Sequence, residues 1–412
     1  MEVKSYICPS CGSVMQFDVV EQKMVCMHCG TKMGVHEVEQ NYENVNHSSD
    51  HVNHPVENVG FTDGMNNMNP MGAMNHGMNS MDAADNTWDG ADNAWNGADN
   101  AWNGTDNAWN GTDDGGLERA TFKVYRCGGC GAEVLTDDYT AATFCSFCGR
   151  PSLMEDRLSG ALMPEYVIPF KIKKDDAVEV YKKWVKKGKL TPSLLKSQAT
   201  IDKITGMYVP FWLYDYDTQI YINAKCTRVR RRVSGNYEIT DTDHFAVTRD
   251  MEAEFDRIPA DASEKMPDDM MDKLEPFMYR EMVKFEMPYL SGYYSERYNY
   301  NSQEMQPRVE KRVRSYIEQT GMETITSKHY SSVNVLQKNI QMRNLRASYA
   351  LLPVWILNYS YNGISRMFTL NGQTGKIVAD RPVSKKKAAG WFTGITMVTF
   401  TILMLLGRFL GK

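Results

Sequence analysis

Cys8-Pro-Ser-Cys11-Gly12 followed by Cys26-Met-His-Cys29-Gly30 opens the chain, and Cys127-Gly-Gly-Cys130-Gly131 with Cys145-Ser-Phe-Cys148-Gly149 repeats the design further on. Both units share the spacing C-x2-C-x14-C-x2-C. Each short pair supplies two thiolates, and two facing pairs complete a soft tetrahedron, which is the donor set of a closed structural zinc site. A knuckle turn of this kind wants positive φ just after its second cysteine, and glycine stands there in all four pairs. The expectation is two small four-cysteine zinc ribbons and two Zn2+ per chain, with Cys8, Cys11, Cys26, Cys29, Cys127, Cys130, Cys145 and Cys148 as the metal ligands. Iron and a redox dithiol are the competing chemistries; four filled positions favour structural zinc. His28, His36 and the His47/His51/His54 group are read as bystanders, because both tetrads are already complete.

Between the ribbons lies a different kind of sequence. Residues 41–116 hold 17 Asn, six Met, four of the eight Trp and 12 Asp/Glu, but no Lys or Arg. The chain of 412 residues carries −5; that segment carries −12, so the remainder is +7 (−5 + 12). Its second half repeats every seven residues and sets Trp88, Trp95, Trp102 and Trp109 in register. A coiled coil needs two apolar positions per heptad, and these have one beside Gly, Asn and Asp, so a disordered linker is expected. Such a coil would span about 45–50 Å and leave the first ribbon, residues 1–40, free to search for partners. Composition excludes collagen, a disulfide mini-protein and a polytopic membrane protein.

The second ribbon is placed at residues 117–157 and an α+β body at 158–384. In the body, Val178, Tyr181, Trp184 and Val185 mark one face of a helix opened by Asp175-Asp176. Val309, Val313, Tyr316 and Ile317 mark another. The run VWILNYSY (354–361) turns at Asn362-Gly363, returns through ISRMFTL and turns again at NGQTG, a β-meander. Pro210-x-Trp212-Leu213-x-x-Tyr216 echoes Pro353-x-Trp355-Ile356-x-x-Tyr359, which suggests an internal β duplication in a mixed antiparallel-sheet and helix body. Cys226 shares strand parity with Ile220, Ile222 and Ala224 and is read as a small core side chain.

Residues 388–407 pass without a charge, about 30 Å as a helix, which matches a hydrocarbon core. Lys385-Lys386-Lys387 and Trp391 precede or edge the run, and Arg408 and Lys412 follow it. A single C-terminal transmembrane helix is expected. The start of the chain lacks the apolar core of a secretory signal, and the basic flank is heavier before the span than after it. The expected location is therefore the cell membrane, single-pass, with the bulk of the chain in the cytoplasm.

No HExxH, Walker A, nucleophile elbow or kinase set appears. GQTGK at 372–376 and SLLK at 193–196 match phosphate-loop and Ser-x-x-Lys patterns only in part. Three basic groups remain: Arg228/Arg230/Arg232 on one strand face, Lys182/Lys183/Lys186/Lys187/Lys189 along a helix, and Arg308/Lys311/Arg312/Arg314 on another. They could hold nucleic-acid phosphates, face anionic lipid, or be solvated faces paired with acids.

The stretches YVIPFKIKKDDAVEVYKKWVKKGKLTPSLLK (166–196), ITGMYVPFWLYD (204–215), MPDDMMDKLEPF (266–277), YLSGYYSERYN (289–299) and the run 351–387 resemble an uncharacterised bacterial family. That family is labelled TFIIB-type zinc-ribbon-containing, and its members are sometimes labelled primosomal helicases. The resemblance covers about residues 120–412 and implies one cysteine ribbon on Cys127, Cys130, Cys145 and Cys148, an ordered body and a membrane segment near the end. The N-terminal ribbon and the Trp repeats depart from that layout, and no ATP-binding motif supports the helicase label. The reading that follows is a zinc-binding, membrane-anchored cytoplasmic interaction or scaffold protein, not an enzyme, with a protein partner. The alternative is a membrane-attached nucleic-acid-binding zinc-ribbon protein.

Overall fold

Strands in globular proteins usually run three to ten residues; this fold has two of 30 residues and one of 25. The computed structural model describes residues 3–49 and 122–410. The first cysteine unit holds β1 (Met15–Asp18), β2 (Lys23–Cys26), β3 (Lys32–Met33) and α1 (Val35–Ser49). The second holds β4 (Lys123–Arg126), β5 (Glu133–Thr136), β6 (Thr140–Phe144) and β7 (Pro151–Leu153). The body continues with β8 (Tyr166–Val167), α2 (Lys174–Lys187), α3 (Gln198–Ile201), β9 (Thr205–Ser234), β10 (Tyr237–Asp261) and α4 (Asp268–Lys273). It ends with β11 (Val283–Lys284), β12 (Tyr294–Glu296), α5 (Ser302–Thr326), β13 (Ser332–Tyr361), β14 (Ile364–Asn371), β15 (Ile377–Ala379) and α6 (Lys385–Leu410). The class is α+β, as expected. The Trp repeats lie outside the described residues.

The long strands change character along their length, and the residues say why. From Thr205 to Tyr216 β9 is apolar and mostly buried, because both faces are covered by the body. From Asp217 to Ala224 burial alternates, since α5 covers one face with Val309, Val313, Ile317 and Ile325. Gly321 permits that approach: a Cβ there would meet Ile222 Cδ1 at 2.9 Å. Beyond Thr227 the β9–β10 hairpin is exposed to its tip. Tyr316, expected on the inner stripe of α5, is 45% exposed and stacks at the edge on Phe255. Cys226 is buried with Ile220, Ile222 and Ala224, as its parity implies.

The meander turns where expected. Asn362 and Gly363 both take positive φ, 55° and 74°, the signature of a type I′ turn, and Tyr361 pairs with Ile364 across it. β13, however, begins at Ser332, more than twenty residues before the strand expected from sequence. The stretch NVLQKNIQMRNLR is polar and interrupted by bulges near Leu336 and Leu345, so it carries little strand signature by itself.

The proline-tryptophan echo has a structural counterpart. β9 and β13 lie side by side and antiparallel, and each is followed by its own hairpin partner, β10 or β14. Three residues before its proline, each strand is met by a short parallel strand: β12 at Met207 and β8 at Ala350. Trp212 Nε1 donates to the Tyr300 carbonyl just ahead of α5, and Trp355 Nε1 to the Ile172 carbonyl just ahead of α2. Two β–α–β–β units therefore exchange their first strands about a local twofold.

Neither ribbon stands apart from the body. Leu153 and Lys4 exchange both backbone hydrogen bonds, at 2.9 and 3.0 Å, which ties the N-terminal segment to β7. Phe17 N–H donates to the Ser291 carbonyl, Ser291 Oγ to the Met15 carbonyl, and Gln22 Nε2 to the Phe170 carbonyl. Tyr6, Met15, Phe17 and Met24 share one core cluster with Tyr208 and Trp355. A free, searching first ribbon is thus corrected: its outward apolar face is too large to leave in water, and the body covers it. Its boundary also moves, because α1 runs to Ser49 rather than ending near residue 40. The second ribbon is split: β4 and β5 form a separate pair, while β6 and β7 join the ten-stranded sheet through β12.

Candidate metal centres

Each cysteine pair is built by the same backbone hydrogen bonds. The N–H of the first cysteine donates to the carbonyl of the residue after the glycine, which is Ser13, Thr31, Ala132 or Arg150, at 2.7–2.9 Å. The N–H of the glycine returns to the carbonyl of the first cysteine, at 2.8–2.9 Å in all four. Gly12, Gly30, Gly131 and Gly149 have φ of 73°, 77°, 74° and 69°, the left-handed turn that the sequence implies. In every pair the first cysteine is buried and the second exposed.

The two sets of four converge, with all ligand atoms in a set within 4.8 Å of one another. Cys8–Cys29 and Cys11–Cys26 Sγ atoms are 3.6 and 3.4 Å apart; Cys127–Cys148 and Cys130–Cys145 are both 3.7 Å apart. A disulfide would need about 2.05 Å. Four sulfurs at about 2.3 Å from a central ion stand about 3.8 Å from one another, so both sets fit a tetrahedral metal. Backbone N–H groups of Cys148 and Phe147 bond the Cys145 sulfur and draw its pKa down to about 6, whereas, against the pull of the Arg150 N–H, burial and the neighbouring sulfurs push Cys148 up to about 11. All eight expected ligands fall in these two sets. His28 and His36 do not; His36 instead meets Gln40 and Glu286. The side chain of His47, and His51 and His54, lie outside the described residues.

Links between the second metal set and the body were not legible in the sequence. Lys265 Nζ lies 2.6 Å from both Asp137 of the ribbon and the nearly buried Glu296 of β12. Arg157 donates to Tyr125 and Asp138, closing the base of the same ribbon. These residues are far apart along the chain and bear no motif.

The basic groups separate on inspection of their partners. Arg230 pairs with Asp243 at 2.7 Å and Arg232 with Asp241 at 3.6 Å across the hairpin, while Arg228 sits over the Phe245 and Tyr330 rings. On α5, Arg308 meets Asp261, Asp268 and Asp272, and Arg312 meets Asp272. Burial pushes the Asp261 carboxyl up to about 7, with Asp268 and Asp272 adding to the rise against the pull of Arg308. The folded chain then keeps a proton that the unfolded chain releases, so this residue lowers stability as pH rises from about 4 to about 7. Asp261→Asn removes that dependence. Relative to wild type it is expected to gain about 2–3 kcal/mol between pH 5 and 7 in denaturant titrations. Parallel curves for the two proteins would refute the assignment.

α6 contains a 24-residue stretch, Lys385–Arg408, whose most apolar 18-residue window has mean hydropathy 1.7 and is wholly unburied. It is long and apolar enough to cross a membrane. Fold and site together define a class: an α+β protein with two built-in four-cysteine knuckle sets, each able to hold a metal ion, and an apolar C-terminal helix. The chain is 45% identical over 336 residues to "Uncharacterized protein YdjG" of Bacillus subtilis (strain 168), a match that covers 70% of this chain and 98% of the relative. The chain belongs to the family of that protein. No protein-family model matches the sequence, and no solved structure matches it.

Proposed function

We propose that this chain is a zinc-stabilised interaction protein held on the cytoplasmic face of the cell membrane, acting as a scaffold without catalysis. The observation that carries the reading is α6: an unburied apolar helix joined directly to the body, with Ser384 N–H donating to the Leu190 carbonyl. Zinc is the metal proposed for both sets, because four thiolates in a closed tetrahedron suit it and leave no position for a substrate. The likeness of the sequence to TFIIB-type zinc-ribbon proteins points to the same metal. A protein partner has a long surface available in the β10–β9–β13 ribbon, whose face opposite α5 carries Gln219, Tyr221, Asn223, Gln341 and Asn339.

The nucleic-acid alternative draws on the arginine groups, and the pairing of Arg230, Arg232, Arg308 and Arg312 with Asp243, Asp241, Asp268 and Asp272 weighs against it. Full-length protein in nanodiscs, titrated with single- and double-stranded nucleic acid at about 50 mM salt, is expected to show no saturable binding. Binding that weakens steeply toward about 200 mM salt, with a log–log slope near −0.9 per phosphate contact, would replace the scaffold reading with its rival.

A further inference from the structure

Of the three basic groups, the one on α2 is treated differently by the fold. Lys182, Lys186, Lys187 and Lys189 are exposed, as are Lys385 and Lys386. Among the described residues, none of these six is within ion-pair distance of a carboxylate; on this helix only Lys183 is, with Glu179 at 2.7 Å. The chain nevertheless gathers them. Ser384 N–H donates to the Leu190 carbonyl at 2.8 Å and Lys387 Nζ to the Thr191 carbonyl at 2.6 Å. Lys189 Nζ lies 5.2 Å from the Trp391 ring centroid, and the Arg381 guanidinium 4.9 Å from that of Trp184. The end of α2 and the first turn of α6 therefore share one corner, at the level where the apolar run begins.

Collecting like charges without counter-charges raises the energy of the folded chain, unless a negative surface stands nearby. Given the reading that α6 spans a membrane, on which this inference rests, Trp391 marks the interface and the corner sits among lipid headgroups. Five residues separate Lys182 from Lys187 at the end of α2, about 7.5 Å at helical rise, and Lys189 follows just beyond, so the stripe stays within roughly one Debye length of that plane. We propose that α2 is a headgroup-binding element: its lysines engage anionic phospholipid and fix the orientation of the body on the membrane. Arg230 and Arg232 of β9 and Arg308 and Arg312 of α5 are less suited, because aspartates within ion-pair distance already offset their charge.

The test compares amide exchange of the full chain in nanodiscs of phosphatidylcholine alone and with about 30% phosphatidylglycerol. Residues 178–191 are expected to exchange about five-fold more slowly in the anionic lipid. The difference should vanish in about 0.5 M salt, and in the triple variant Lys182→Gln/Lys186→Gln/Lys189→Gln, while the corresponding Lys→Arg variant keeps it. Equal exchange of this segment in both lipids, with α6 protected in both, would overturn the headgroup proposal and leave the anchor intact. Free exchange of α6 in both would sink the spanning reading and this proposal with it. Protection of 178–191 by added nucleic acid but not by anionic lipid would also overturn it.

Discussion

Chelating both metals is expected to unfold more than the two cysteine knuckle sets. Binding of a structural zinc is worth about 10–16 kcal/mol in isolated finger peptides, comparable with the whole stability of an ordinary domain. Here the energy is not confined to a separate bead. The knuckle at Cys145–Cys148 joins β6 to β7, and those strands belong to the ten-stranded sheet. β7 in turn holds Lys4, through two backbone hydrogen bonds, and Lys4 Nζ reaches Glu39 of α1 at 2.7 Å. Cys145→Ser should therefore drop the metal content from two to one per chain and lower Tm by on the order of 10 °C or more. It should also speed amide exchange at residues 3–6 in the first ribbon. From sequence alone the same substitution would be expected to spare that ribbon, so the exchange pattern distinguishes the two accounts. Elemental analysis showing fewer than two metals in freshly purified wild type, or iron in both sites, would defeat the zinc assignment.

Ending the chain after Ser384 should move the protein from the membrane pellet to the soluble fraction almost completely. The deleted helix exposes Trp391, Phe392, Ile395, Met397, Val398, Phe400 and the leucines of its second half along its whole circumference. A soluble domain rarely leaves such a surface in water, whereas about 30 Å of hydrocarbon accepts it. The body should keep its two metals after truncation, since α6 contributes no side chain to its core clusters. A truncated protein that still sediments with membranes would show that the anchor lies elsewhere. Orientation is read separately. Arg381, Lys385, Lys386 and Lys387 precede the span, against Arg408 and Lys412 after it, so protease added to intact cells should not cut the body. Protease is the better probe, because Cys226, the cysteine outside the metal sets, is 1% exposed.

Much of the candidate site could be read along the chain. Cys-x-x-Cys pairs followed by glycine constrain their own turns through local hydrogen bonds, so Gly12, Gly30, Gly131 and Gly149 adopt the expected φ whatever packs around them. Asn362-Gly363 and the apolar spacing of Tyr181, Trp184 and Val185 are local in the same sense, and they held. The length of residues 388–407 needs no tertiary partner to be recognised either. What the chain could not announce depends on partners distant in sequence. The first half of β13 is polar and bulged, and it is a strand only because β9 offers it a continuous ladder. Arg230 reads as a free cation until Asp243 is laid beside it, and Lys186 reads the same way but finds no such acid among the described residues. Likewise, the first ribbon is docked rather than tethered because Phe17 and Met15 meet a surface made by Ser291 and Tyr208, far along the chain. Turn chemistry and hydrophobic length are written in neighbouring residues; charge compensation and the burial of a small domain's outer face are decided only when distant segments meet.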